Sequence, residues 1–182
     1  MSDYLFEKRV EDYDPNVKGL VDFETERQAR RLIMIPSESI APKAVRDLLA
    51  SPFTNIYAEG YPRPETRYQD EDTIMDYALQ LGRYRRHSDG RYYKGVEYVD
   101  MIEALARRRA AELFAANDLI PDDLWVNVQP LSGAPANTAV YTALIKPGDS
   151  ILGMDLLHVG HLTHGSPVNR SGLFYNAHSY TV

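Results

Sequence analysis

Three stretches of this 182-residue chain carry side chains that could do chemistry. In Pro130-Leu131-Ser132-Gly133-Ala134 a strand-like segment turns into a helical one. Backbone N–H groups at a helix start lack intrahelical partners, and the helix dipole adds positive character, so such a turn binds anions such as phosphate. Gly133 permits close approach and Ser132 adds a hydroxyl donor, although a serine here also suits ordinary helix capping. In the second stretch, His158, His161 and His164 recur at every third position. A metal reading needs more than this: the chain has no cysteine, no fourth ligand is evident, and Gly160 interrupts the geometry. A histidine there can instead stack on an aromatic ring, hydrogen-bond, shuttle a proton or serve the structure alone. The third stretch is Tyr57-Ala58-Glu59-Gly60-Tyr61, to be taken with Arg91-Tyr92-Tyr93. A glutamate between tyrosines in an apolar loop would have a raised pKa and act as an acid or base near neutrality. The alternative is a tyrosine-rich packing or interface patch.

The elements that must position these residues follow from periodicity and punctuation. Apolar Val17, Leu20, Val21, Phe23 and Leu32 among charges predict a helix over 16–33, started by Asp14-Pro15. Pro36 breaks the pattern, a second helix is predicted over 42–49, and 57–62 reads as an ordered loop. Residues 63–90 form a compositionally distinct excursion, read as a solvated surface element with a helical stretch from the acidic cluster at Asp70 through Leu81. Basic Arg83, Arg85 and Arg86 come after that stretch. Val99, Ile102, Leu105, Ala106, Ala110, Leu113 and Phe114 fall on one stripe of a helix over 98–116, with Glu103 and Arg107 spaced for an ion pair. A strand at 125–128, a helix at 136–145 and a strand at 150–154 imply a parallel crossover, with a further strand over 172–180 centred on Leu173-Phe174-Tyr175. The histidine stretch then follows the carboxyl end of a strand, where α/β folds place ligand contacts.

Composition narrows the function classes. The net charge of −6 and pI near 5.3 argue against a nucleic-acid surface. No apolar run approaches the roughly 20 residues that span a bilayer, and the start MSDYLFEKRVEDYD has no secretory pattern. The absence of cysteine fits a reducing, cytoplasmic setting. Leu, Ile, Val and Phe supply about a quarter of the residues, enough to bury a sizeable core.

In combination and in order, these stretches resemble the amino-terminal portion of the serine (glycine) hydroxymethyltransferase family, which uses pyridoxal 5′-phosphate. The matching segments are Ile35-Pro36-Ser37-Glu38, Tyr57 to Pro62, Arg91-Tyr92-Tyr93, Glu97 to Asp100, Asn127 to Pro130, Ser132-Gly133 with Ala136-Asn137, Lys146 to Asp149, Gly153 to Leu156, and Gly160 to Asn169. The resemblance covers about 16–182 apart from 63–90. It implies an α/β fold: amino-terminal helices, then the first part of a fold-type I, aspartate aminotransferase-like large domain with an incomplete sheet. Residues 1–56 would form a helical arm with dimer contacts, and 57–182 the start of the cofactor-binding domain, with 63–90 inserted.

The resemblance also implies roles. Ser37 would contact the substrate carboxylate, and Tyr57 the cofactor phosphate of the partner subunit. Glu59, acting across a homodimer interface, would be the acid/base group. Tyr92 and Tyr93 would line the substrate and cofactor region, and Ser132, Gly133 and Ala134 would cradle the phosphate. His161 would stack on the cofactor ring, which displaces the metal reading. Leu156, Gly160 and Leu162 would line a folate surface, with serine, glycine and tetrahydrofolate as substrates. The family usually has serine at Ala134, glutamine at Pro135 and histidine at Leu131, and smaller residues at Leu157 and Val159. None of Lys8, Lys18, Lys43, Lys94 and Lys146 lies in the context of the family's cofactor-binding lysine, so this chain alone is expected to be inactive. A threonine aldolase-like or transaldolase-like relative, or a non-catalytic truncated fragment, are the alternative expectations.

Overall fold

The computed structural model describes residues 8–35, 37–88 and 90–182, so the predicted break at Pro36 lies outside the described residues. The chain divides into two compact units, the first ending at Asn55 and the second beginning at Ile56.

The first unit holds α1 (Val10–Tyr13), α2 (Pro15–Arg30) and α3 (Lys43–Leu49). Asp14 starts α2 as predicted: its Oδ1 accepts the N–H groups of Asn16 (3.0 Å) and Val17 (3.1 Å), and Pro15 occupies the first turn. Exposed pairs Lys18–Asp22, Arg27–Glu24 and Arg30–Glu26 lace the helix. The hydrogen bonds from Arg27 and Gln28 pull the Glu24 carboxyl down to about 2. Val17, Leu20, Val21 and Phe23 remain exposed, and α2 stops at Arg30 rather than 33.

In the second unit, the excursion forms two helices, α4 (Glu71–Met75) and α5 (Tyr77–His87), where one stretch through Leu81 is predicted. Asp70 and Asp76 divide them by capping: their Oδ1 atoms accept the N–H groups of Thr73 (2.8 Å) and Leu79 (2.9 Å). Arg85 and Arg86 lie in the last turn of α5, favoured by its dipole, and not beyond it. The surface reading of the excursion is corrected by Ile74. It is 1% exposed and lines a small cavity with Met101 and Ala104 of α6 (Glu97–Phe114), while Glu71 pairs with Arg109 of α6 at 2.5 Å.

The face of α6 that is buried also differs from the predicted stripe. Met101, Glu103, Ala104 and Ala111 are buried, whereas Ile102, Leu113 and Phe114 are exposed. Small side chains let the excursion approach closely, and burial follows the partner that is present rather than the most apolar face. The buried hydrophobic core among the described residues is Ile74, Val96, Met101, Ala104 and Ala111, smaller than composition suggests. The Glu103–Arg107 pair is also replaced: Arg107 Nε donates to the Val126 carbonyl (3.1 Å), and Glu103 turns to other partners.

Residues 125–128 enter no ladder among the described residues, which corrects the predicted strand and its crossover. A strand needs a neighbour, and here side chains take its place: Arg67 reaches the Leu124 carbonyl (3.4 Å) and Arg107 that of Val126. Helix α7 spans Gly133–Leu144. The parallel pair is β1 (Ser150–Met154) with β2 (Asn176–Tyr180), in register from Ser150 opposite Asn176 to Met154 opposite Tyr180. Leu173 and Phe174 belong to α8 (Arg170–Phe174), so the second strand starts later than predicted. Asn169 causes the shift, its Oδ1 capping α8 through the Ser171 N–H (3.0 Å). No helix among the described residues is long and apolar enough to cross a membrane.

Because Ile74 is a core residue, Ile74→Ala should cost about 2–4 kcal/mol in urea denaturation. Arg85→Ala, on the exposed face of α5, should stay within about 0.5 kcal/mol.

Candidate active site

Arg91 organises the tyrosine- and glutamate-bearing loops. It is 2% exposed, so its donors must find protein acceptors. Nε donates to Asp100 Oδ1 (2.5 Å), Nη2 to Glu103 Oε2 (2.6 Å), and Nη1 to the carbonyls of Ala58 (2.6 Å) and Gly60 (3.1 Å). Burial works against the guanidinium charge, and the hydrogen bonds it donates to Asp100 and Glu103 outweigh that, leaving the Arg91 pKa raised. Gly60 sits at φ +102°, and a Cβ there would stand 3.0 Å from Arg91 Cα, so glycine suits this turn on both counts. Gln129 extends the network by donating from Nε2 to the Gly60 carbonyl (2.7 Å) and Glu103 Oε1 (3.0 Å). The fork thereby ties together the loop 57–62, the tyrosine segment 91–93, α6 and the chain entering Ser132.

The predicted residues of this group are brought together. Tyr57 stacks on Tyr93 with ring centroids 5.1 Å apart, and the Tyr92 N–H donates to the Glu59 carbonyl at 3.1 Å. The excursion braces the same segment, since Tyr84 Oη accepts the Gly95 N–H at 2.6 Å. Tyr57, Glu59, Tyr92 and Tyr93 are all exposed. The apolar surroundings expected of Glu59 are therefore not found among the described residues. Ser37 lies exposed in a turn of the first unit.

A second group forms around α7. Ser132 occupies the N-cap position with extended backbone, yet its hydroxyl makes no capping bond. The first bond of the helix runs from the Ala136 N–H to the Ser132 carbonyl (3.2 Å), so the N–H groups of Gly133 and Ala134 precede the ladder. Pro135 contributes no N–H. A Cβ at Gly133 would meet nothing within 4 Å, so the approach to this helix start is open. Four residues further on, Asn137 Nδ2 donates to Thr163 Oγ1 (2.7 Å), and Tyr141 Oη donates to the Thr163 carbonyl (2.9 Å). These bonds fasten α7 to the 3₁₀ turn Leu162–His164 and thus hold His161 beside the helix. Asn137, Tyr141 and Thr163 carry no role in the sequence reading. The one carboxamide of this helix, Asn137, is the available signal.

The three histidines do not converge: among the described residues, no group of three His, Asp or Glu side chains could hold a metal ion. His161 and His164 cap their own turn, whereas His158 Nδ1 lies 2.9 Å from the Val182 carbonyl. Leu156 and Leu162 are exposed in successive 3₁₀ turns. Gly160 has a steric reason of its own, because a Cβ there would collide with the Met154 carbonyl. Val159 beside it holds φ +73° while 87% exposed, a costly region for a β-branched residue.

Two stability tests follow. Arg91→Met strands Asp100 and Glu103 and should cost about 3–5 kcal/mol in urea denaturation. Arg91→Lys, unable to span the fork, should cost about 1–3 kcal/mol. Val159→Gly should stabilise by about 1 kcal/mol, the relieved strain exceeding the added chain entropy; an unchanged or lower melting temperature would contradict the strain assignment.

Comparison with known proteins agrees with this arrangement. The family model described as serine hydroxymethyltransferase matches residues 10–89 and 84–182, meeting within the excursion. The serine hydroxymethyltransferase of Bifidobacterium longum subsp. infantis is 46% identical over 169 residues, 93% of this chain and 31% of that protein. That of Bifidobacterium adolescentis is 44% identical over 178 residues (98% and 34%). That of Prochlorococcus marinus subsp. pastoris is 44% identical over 175 residues (96% and 34%). The chain spans about a third of the length of these curated relatives. With the family model matching nearly the whole chain, the chain belongs to the serine hydroxymethyltransferase family.

Proposed function

We propose that this chain supplies the amino-terminal part of a pyridoxal 5′-phosphate enzyme that interconverts serine and glycine and passes a one-carbon unit to tetrahydrofolate. The observation that carries this reading is the open start of α7, with an uncommitted Ser132 hydroxyl, hydrogen-bonded through Asn137 and Thr163 to the turn that presents His161. A phosphate dianion suits that helix start by charge and by donor supply. The Gly133 and Ala134 N–H groups and Ser132 Oγ would hold it, and the His161 ring would lie against the cofactor ring. When bound, the cofactor supplies an electron sink for charge developing at the substrate Cα.

The remaining assignments rest on the family pattern together with exposure. Ser37 holds the substrate carboxylate, and Tyr92 and Tyr93 line the substrate side. Glu59 carries a proton at the substrate hydroxyl, and Tyr57 reaches the phosphate of a second copy. The exposure of Tyr57 and Glu59 suits groups that act across a homodimer interface. Residues 1–56 serve as the arm, and 57–182 as the first part of a fold-type I domain, in a cytoplasmic enzyme whose activity belongs to the whole protein. Leu156, Gly160 and Leu162 form the folate side. A folate-independent, aldolase-like or transaldolase-like reading is favoured by one observation, the bulky and exposed Leu157 and Val159 beside those positions.

The test is serine cleavage by the full-length protein, with and without tetrahydrofolate. Folate-dependent cleavage, with Glu59→Gln lowering kcat by about 10²–10⁴-fold, supports the proposed reading. Cleavage of a β-hydroxy amino acid that ignores folate supports the aldolase-like one, and no cleavage under either condition contradicts both.

A further inference from the structure

We propose that Thr163 and Asn137 are positioning residues that hold the His161 imidazole in a single state, the neutral tautomer with its proton on Nε2. Two donors of Thr163 meet the ring at the same nitrogen. The Thr163 backbone N–H points at His161 Nδ1 (3.2 Å), and Thr163 Oγ1 lies 2.7 Å from that atom. A backbone N–H can only donate, so Nδ1 is the acceptor and carries no proton. The hydroxyl's own direction is set from behind, because Asn137 Nδ2 donates into Thr163 Oγ1 (2.7 Å) and leaves its proton free to point at Nδ1. The chain runs one way: from the Asn137 amide to the Thr163 hydroxyl, and from there to the ring.

The arrangement is held from several sides. Thr163 is 3% exposed, so an unmade bond at its hydroxyl is not repaired by bulk water. Tyr141 Oη fixes the Thr163 carbonyl, and the His164 N–H donates to the His161 carbonyl (2.9 Å). The His161 N–H in turn donates to His164 Nδ1 (3.1 Å), so the neighbouring ring is set as an acceptor at the same edge. Protonating Nδ1 would set it donor against donor with the Thr163 backbone N–H and strip the Thr163 hydroxyl of its acceptor. Nε2–H is left as the ring's one donor, in a ring that lines an open cavity of about 340 Å³ with Asp155, Leu156, His164, Ser166 and His178. A neutral imidazole with a fixed edge offers a flat, uncharged face, and the same α7 that presents the anion cradle determines which way that face is turned.

The tautomer assignment stands on this chain's geometry, and only its use against a cofactor ring rests on the proposed function. The test is long-range ¹H–¹⁵N correlation NMR on the full-length protein with ¹⁵N-histidine, first without cofactor. The expected result is a pyridine-type shift at His161 Nδ1 and a pyrrole-type shift at Nε2. Thr163→Val should replace that signature by averaged tautomer shifts and lower kcat/KM for serine roughly tenfold, and Thr163→Ser should restore both. Because Thr163 is buried, Asn137→Ala serves as a second variant and should move the His161 shifts in the same direction. A protonated Nδ1 in the parent protein, or shifts unmoved by both Thr163→Val and Asn137→Ala, would overturn the proposal. Adding pyridoxal phosphate then separates the two claims: His161 signals that ignore it contradict the ring-stacking reading and leave the tautomer result intact.

Discussion

A guanidinium sealed from water must have its charge and its donors met by protein, and in this chain Arg91 meets that demand by gathering four separated stretches. Asp100 and Glu103 come from α6, Ala58 and Gly60 from the tyrosine loop, and Gln129 joins through Glu103 and Gly60. Such a cluster is asymmetric in energy: intact, it contributes little net stability, but broken it leaves buried charge without a partner. That asymmetry makes it a device for geometry. Tyr57, Glu59, Tyr92 and Tyr93 sit on chain that is irregular in conformation and exposed in its side chains, and the buried fork beneath them replaces the order that a helix or strand would provide.

The second fixed point depends on the first through Gln129, which stands three residues before Ser132 and is bound to the Arg91 network. From Ser132 the chain enters α7, and Asn137 then reaches back to the histidine turn. The open start of α7, the His161 turn and the Glu59 loop are thus joined by hydrogen bonds rather than by a large apolar core. The five buried hydrophobic residues among the described residues lie elsewhere, on α6, at its start and in the excursion. Within the second unit, the polar network positions the site and the apolar cluster secures the element beside it.

Much of this was legible in the sequence, and the failures have common causes. Local signals worked: Asp14-Pro15 starts α2, the 18-residue α6 is found within two residues, and Ser132-Gly133 turns into α7, which begins three residues before the predicted 136. Signals that depend on a partner failed. The stripe through Ile102, Leu113 and Phe114 is apolar, but burial went to Met101, Ala104 and Ala111, where Ile74 packs. Residues 125–128 have strand composition without a neighbouring strand, and Leu173-Phe174 yielded to the Asn169 cap. At the site, Arg91 could be noticed as part of a motif, but the four hydrogen bonds of its guanidinium described above reach residues up to 33 positions away in sequence, which no spacing rule predicts. The Thr163–His161 lock is local, yet it is invisible to residue type alone because it depends on which nitrogen faces the hydroxyl.

The central claim is that one polar framework brings an anion cradle and a ring-facing histidine into a single site. Its most direct test is a crystal structure of the full-length protein grown with pyridoxal 5′-phosphate. The account predicts the phosphate on the N–H groups of Gly133 and Ala134 and on Ser132 Oγ, with the His161 ring parallel to the cofactor ring and Asn137 still bonded to Thr163. A cofactor whose phosphate lies away from the start of α7, or whose ring is not covered by His161, would contradict it.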